Sequence, residues 1–276
     1  MLGCHVACMK KIVTISVCLL ILSTGVAFSN GVEERTPSAR ELLDEVRAKL
    51  PKEPFLIVGK MWKGKYPRRA SRCIDVEAAL HFGSDPVTAR YSIVGGSGAK
   101  REQLTVTRKG SGAVQFSYAC GDPLTPAPMP DLSATIQDTE ISWLDLTLSY
   151  LWWEDGSIVD ADTVRGRDCY VVQLRVPPDE ASYKGVVRLW IDCEYRLLLQ
   201  AELYDDTGKP VRRLSVKSFK QINEQWMVKD IEVRNEVRRS FTTMRIYRVE
   251  GAGVNSDAST PGDGEKADKR LILFPE

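Results

Sequence analysis

From Cys73 to Phe82 the chain alternates strictly: Ile74, Val76, Ala78, Leu80 and Phe82 on one side, Cys73, Asp75, Glu77, Ala79 and His81 on the other. Side chains along a strand point to opposite faces, so this run predicts a β-strand with one apolar and one wet side. A sheet of such strands must hide its apolar face by curling or by gaining a cover.

Runs of the same period recur near 88–94 (Tyr91, Ile93), 102–108 (Leu104, Val106) and 113–118 (Val114, Phe116, Tyr118). The turns Gly95-Gly96-Ser97-Gly98 and Gly110-Ser111-Gly112 separate them, as in consecutive hairpins. A proline-dense stretch from Pro123 to Pro130 interrupts the pattern. Strand signals resume at 168–176, 186–192, 197–204, 211–221, 226–235 and 240–249, with turns at Asp205-Asp206-Thr207-Gly208 and Asn223-Glu224-Gln225. Phe55 to Trp62 brings the expectation to about eleven strands in an antiparallel meander.

Two helices are predicted. Ser38 and Glu41 have capping-box spacing, and Leu42, Leu43, Val46 and Leu50 share one face before Pro51 and Pro54. The second runs from Ser142 to about Trp153. Ser142 and Asp145 are spaced as a cap, Ile141, Leu144, Leu148, Leu151 and Trp152 recur at helical intervals, and Gly156 ends it. The predicted fold is mainly β with two or three helices: a curled antiparallel sheet forming an incompletely closed barrel covered by helices.

Both ends of the chain read differently from its middle. Lys10 and Lys11 precede an apolar run from Ile12 to Leu22, followed by the small-residue pattern Ala27-Phe28-Ser29, which is the build of an export signal over residues 1–29. The apolar run is shorter than the roughly 20 residues a membrane-spanning helix needs. A domain of residues 30–250 follows, and residues 251–276 are polar, reading as a disordered tail.

Composition narrows the function. Lysine and arginine number 38 against 37 acids, so no charge surplus favours nucleic acid. Without residues 1–29 the cysteines are Cys73, Cys120, Cys169 and Cys193, with no C-x-x-C spacing and no histidine cluster for a metal. In an exported chain a disulfide is the favoured reading. A hairpin turn centred on Ala181 would set Cys169 opposite Cys193, and a turn shifted by one residue would not; Cys73 and Cys120 would be the remaining pair. His81 is the sole histidine of the domain, stands near no G-x-S-x-G elbow, and reads as a strand residue. The acid pairs Glu154-Asp155, Asp160/Asp162 and Asp205-Asp206 read as turn or helix-end residues. No cofactor, metal or catalytic site is expected.

The stretch from Leu104 to Val233 resembles the LolA-like family of outer membrane lipoprotein-sorting proteins. The resemblance rests on Leu104-Thr105-Val106-Thr107-Arg108, Gly121-Asp122-Pro123-Leu124-Thr125-Pro126-Ala127-Pro128, Trp143-Leu144-Asp145-Leu146-Thr147-Leu148-Ser149-Tyr150-Leu151-Trp152-Trp153, Val164-Arg165-Gly166-Arg167, Leu189-Trp190-Ile191-Asp192, and Lys217-Ser218 through Gln225-Trp226-Met227-Val228-Lys229-Asp230. It implies a half-barrel of about eleven strands in the periplasm that binds lipid or lipoprotein acyl chains for sorting toward the outer membrane. It implies inner- and outer-membrane transfer partners as well. The alternative is a non-transporting module of the same fold that senses lipid or protein. Inner-face residues Val76, Leu80, Tyr91 and Phe116 are the expected cavity walls, with Leu144, Leu148 and Leu151 on the covering helix.

Overall fold

The computed structural model describes residues 36–65, 69–96, 99–110, 114–178, 185–222, 225–251 and 254–257. The export-signal segment and the tail beyond Asp257 lie outside the described residues.

Helix α1 (Ala39–Ala48) starts at a complete capping box: the Ser38 hydroxyl accepts from the Glu41 amide, and the Glu41 carboxylate accepts from the Ser38 amide. Its buried face is Ala39, Leu42, Leu43 and Val46. Six strands follow: β1 (Phe55–Lys65), β2 (Arg69–His81), β3 (Val87–Gly96), β4 (Glu102–Arg108), β5 (Val114–Cys120) and the two-residue β6 (Thr125–Pro126). After a long connection come β7 (Gly156–Val164), β8 (Arg167–Arg175), β9 (Gly185–Asp192), β10 (Leu198–Asp205), β11 (Pro210–Ile222), β12 (Gln225–Asn235), β13 (Ser240–Gly251) and the short β14 (Val254–Asp257).

All pairings are antiparallel, and thirteen strands form one curled, open sheet in the order β6-β5-β4-β3-β2-β1-β13-β12-β11-β10-β9-β8-β7, with β14 added beside β13. The two meanders therefore run outward from a central seam where β1 meets β13, Phe55 opposite Gly251 and Lys65 opposite Ser240. The register shifts between Val58 and Gly59. At that bulge a Cβ on Gly59 would sit 2.8 Å from the Arg245 carbonyl oxygen, so the close approach of the two backbones requires glycine.

The faces segregate as the alternation demands. Ile74, Val76, Ala78 and Leu80 of β2 are buried, as are Ile231 and Val233 of β12. The opposite face of the sheet is held by ion pairs. Asp230 accepts from Ser218 at 2.6 Å and Arg245 at 2.5 Å, and Glu232 lies 3.1 Å from Lys217 and 2.9 Å from Arg234.

Four expectations need correction. The strand count exceeds eleven because β6, β7 and β14 were not foreseen, and β14 falls inside the stretch read as a disordered tail. Asp160 and Asp162 stand in β7 rather than in a turn. The second helix is broken: α2 (Trp143–Thr147) ends at Leu148, whose φ of 51° is left-handed, and a 3-10 turn over Ser149–Trp152 follows. The hairpin register is offset by one, so Cys169 faces Asp192 rather than Cys193, and both thiols are unbridged, as are those of Cys73 and Cys120.

Candidate functional site

The connection between β6 and β7 supplies what the sheet alone lacks. Leu132, Ile136, Ile141, Trp143, Leu144, Tyr150 and Leu151 belong to the same buried cluster as the inward rows of the strands. A second complete capping box sets the start of α2, with Asp145 Oδ2 accepting from the Ser142 amide at 2.9 Å and its hydroxyl at 2.7 Å. Arg47 of α1 donates to the Leu151 carbonyl at 2.6 Å, tying the first helix to this connection.

These elements and the sheet do not fill the space between them. An open cavity of about 220 Å³ remains, walled by Phe55 and Ile57 of β1, Val76, Ala78 and Leu80 of β2, and Tyr91 of β3. The second meander contributes Leu214, Val216, Ile231 and Ile246. Val46, Lys49 and Leu50 at the end of α1, and Leu146, Leu148, Leu151 and Trp152 of the connection, also line it. Phe82 stacks on Trp152 with centroids 6.1 Å apart, and Arg108 stands over the Trp152 ring at 5.5 Å.

Charge is scarce in this wall: Lys49, Asp145 and Arg196 are its charged side chains. Asp145 faces Arg212 at 3.3 Å, and Arg196 is engaged by Glu45 and by the Cys193 carbonyl. Burial pushes the Tyr91 hydroxyl far above its ordinary value, so it stays neutral in the wall. A more open furrow of about 460 Å³ is lined by Pro54, Ala79, His81, Arg90, Thr105 and Glu250 among others. Its lining mixes polar with apolar groups, which makes it the poorer match to an apolar guest.

Of the residues predicted from sequence, Val76, Leu80, Tyr91, Leu148 and Leu151 stand together in the cavity wall. Phe116 and Leu144 do not. Phe116 is half-buried against the core and pairs with Val106, while Leu144 is fully buried in the core cluster. Sequence reasoning missed Phe55, Leu214, Val216, Ile231 and Ile246. Their alternation was legible, but only the seam between β1 and β13 brings the two meanders' inner faces together.

Among the described residues no group of three or more His, Cys, Asp or Glu side chains could hold a metal ion, and no helix is long and apolar enough to cross a membrane.

A family model described as "-like: Uncharacterized protein" matches residues 125–257. Among curated proteins, none matches the sequence. Solved structures do match. A DUF1329 family protein from Desulfovibrio piger superposes with a TM-score of 0.63 at 16% identity, over 79% of this chain and 94% of that one. A putative outer membrane lipoprotein-sorting protein domain from Vibrio parahaemolyticus gives 0.62 at 14%, over 77% and 91%. A LolA superfamily protein from Nitrosomonas europaea gives 0.59 at 12%, over 78% and 94%. At these identities the likeness is one of fold, and the curled open sheet described above is the LolA-like fold.

Proposed function

We propose that the protein is a periplasmic carrier that takes a lipid or lipoprotein acyl chain into this cavity and passes it toward the outer membrane. The observation that carries the reading is the wall itself: aliphatic and aromatic side chains around an open hollow, with Asp145 matched by Arg212. Each methylene moved from water into such a hollow contributes about 0.8 kcal/mol, so a long alkyl chain is held without any directional contact. Release needs either an acceptor with a better site or movement of α1 and the α2 connection, which act as the cover. No bond is made or broken, so no catalytic group is required. The export signal read in residues 1–29 supports the compartment.

The test is solvent extraction of the purified protein followed by mass spectrometry, then incubation of the loaded protein with acceptor vesicles. Co-purified lipid or lipopeptide that moves to the vesicles is the expected result. Bound lipid that never transfers makes the protein a non-transporting module, and a protein that neither retains nor takes up any alkyl compound ends the reading.

A further inference from the structure

Resting on that reading, we infer that the guest is an alkyl chain with an anionic head group, carboxylate or phosphate, and that Lys49 holds this head at the cavity mouth. Three charged side chains line the wall: Lys49, Asp145 and Arg196. Asp145 is closed off from solvent and its charge is balanced by Arg212 at 3.3 Å, while its Oδ1 makes no hydrogen bond. Arg196 is spent on Glu45 and the Cys193 carbonyl. Lys49 is exposed, lines the cavity, and has no ion-pair partner among the described residues. It is the C-cap of α1, followed by Leu50 and Pro51, which also line the cavity. The next charges along the chain, Lys52 and Glu53, are exposed and do not line it.

A group that both touches the hollow and meets solvent marks where an amphiphile's head must come to rest. The apolar wall takes the tail, and a single unanswered ammonium at the opening selects the sign of the head. The aliphatic part of Lys49 can lie along the chain while its ammonium stays hydrated. The pairing remains open to water, so its effect is a few-fold in affinity and fades as salt screens it.

Four compounds of one chain length test this on the purified protein: dodecanoate, dodecyl phosphate, dodecanol and dodecyltrimethylammonium, titrated below their micelle concentrations. The anionic pair should bind roughly fivefold tighter than dodecanol at low salt, and the cation more weakly still. Lys49→Gln should erase that order by weakening the anionic pair several-fold more than dodecanol, whereas Lys52→Gln should leave it intact. Dodecanoate ahead of dodecyl phosphate points to free fatty acids, and the reverse to phospholipid head groups; either supports the inference. Equal binding of all four, untouched by Lys49→Gln, overturns the anionic head and leaves the cavity reading standing. A preference for the cation overturns it in favour of Asp145, and absence of binding by every compound overturns the cavity reading with it.

Discussion

Arg212 Nε lies 3.3 Å from Asp145 Oδ2, and both side chains are shut away from solvent, at 9% and 0% exposure. Asp145 also caps α2 through Ser142, so a single carboxylate fixes the start of the connecting helix and anchors it to β11. Taking away one member of a buried pair leaves an uncompensated charge, which costs about 3–5 kcal/mol. Arg212→Ala should therefore lower stability by that order in urea denaturation. The double variant Asp145→Asn, Arg212→Met should recover part of the loss, because asparagine still caps and no charge remains buried. A double variant no more stable than Arg212→Ala would deny the coupling.

Filling the cavity should abolish binding while sparing the fold. Ala78 lines the hollow from β2, so Ala78→Phe places its ring in unoccupied space rather than in packed core. Overpacking a filled core costs about 1–3 kcal/mol, and here the penalty should fall below that range. Dodecanoate binding should be lost in calorimetric titration. Phe116→Ala is the control: it lies outside the wall and should lower stability with affinity unchanged.

Leu148 carries a left-handed φ of 51° and also lines the cavity. That backbone region costs a residue with a Cβ about 1–2 kcal/mol, which glycine does not incur. Fully burying a leucine side chain contributes about 1.5–3 kcal/mol, and Leu148 is only half-buried. The two effects nearly cancel, so Leu148→Gly should shift the unfolding midpoint little while weakening alkyl-chain binding. A large loss of stability would mean that the side chain is a core element rather than part of a wall.

The same residue shows where the sequence was and was not readable. The capping boxes at Ser38 and Ser142 and the alternation of β2 were plain, because each is a local rule written in a few adjacent residues. Helical spacing from Leu144 to Trp152 was equally plain and misleading. It reports which side chains are apolar, and a 3-10 turn after a left-handed residue places them on the core as well as a continuous helix does. Strand β7 escaped because it is an edge, paired on one side and exposed through Gly156 to Thr163 apart from Ile158, so it needs no apolar alternation. The cavity was half legible: β2 and β3 announced their share, but the share of β11 to β13 depends on a seam that joins Phe55 to Gly251.

Acid should weaken the sheet through Glu232. Its burial opposes ionisation, yet Lys217 and Arg234 outweigh this and hold the carboxyl below its ordinary 4.5. A depressed folded value means that the stabilisation is present above about 4.5 and is lost as pH falls through the folded value. The stability gap between wild type and Arg234→Gln should be at most about 1 kcal/mol at pH 7 and should close in the acid range. Urea midpoints measured from pH 7 to pH 3 check this, and a gap that widens on acidification would reverse the sign.

Thiol chemistry gives the sharpest check on the β8–β9 register. Cys169 is buried opposite Asp192, and burial, with the neighbouring acids, pushes its thiol up to about 12 despite a bond from the Val164 backbone. At pH 8 its thiolate fraction is then on the order of 1 in 10,000, and only the thiolate is nucleophilic. Iodoacetamide should leave Cys169 unmodified in the native protein. Unfolding in denaturant without reductant should expose it, so that Cys169 and Cys193 both become alkylated, as two unbridged thiols must. If neither takes up the label until a reductant is added, the two are joined, and the strands have slipped by one residue relative to the register that faces Cys169 with Asp192.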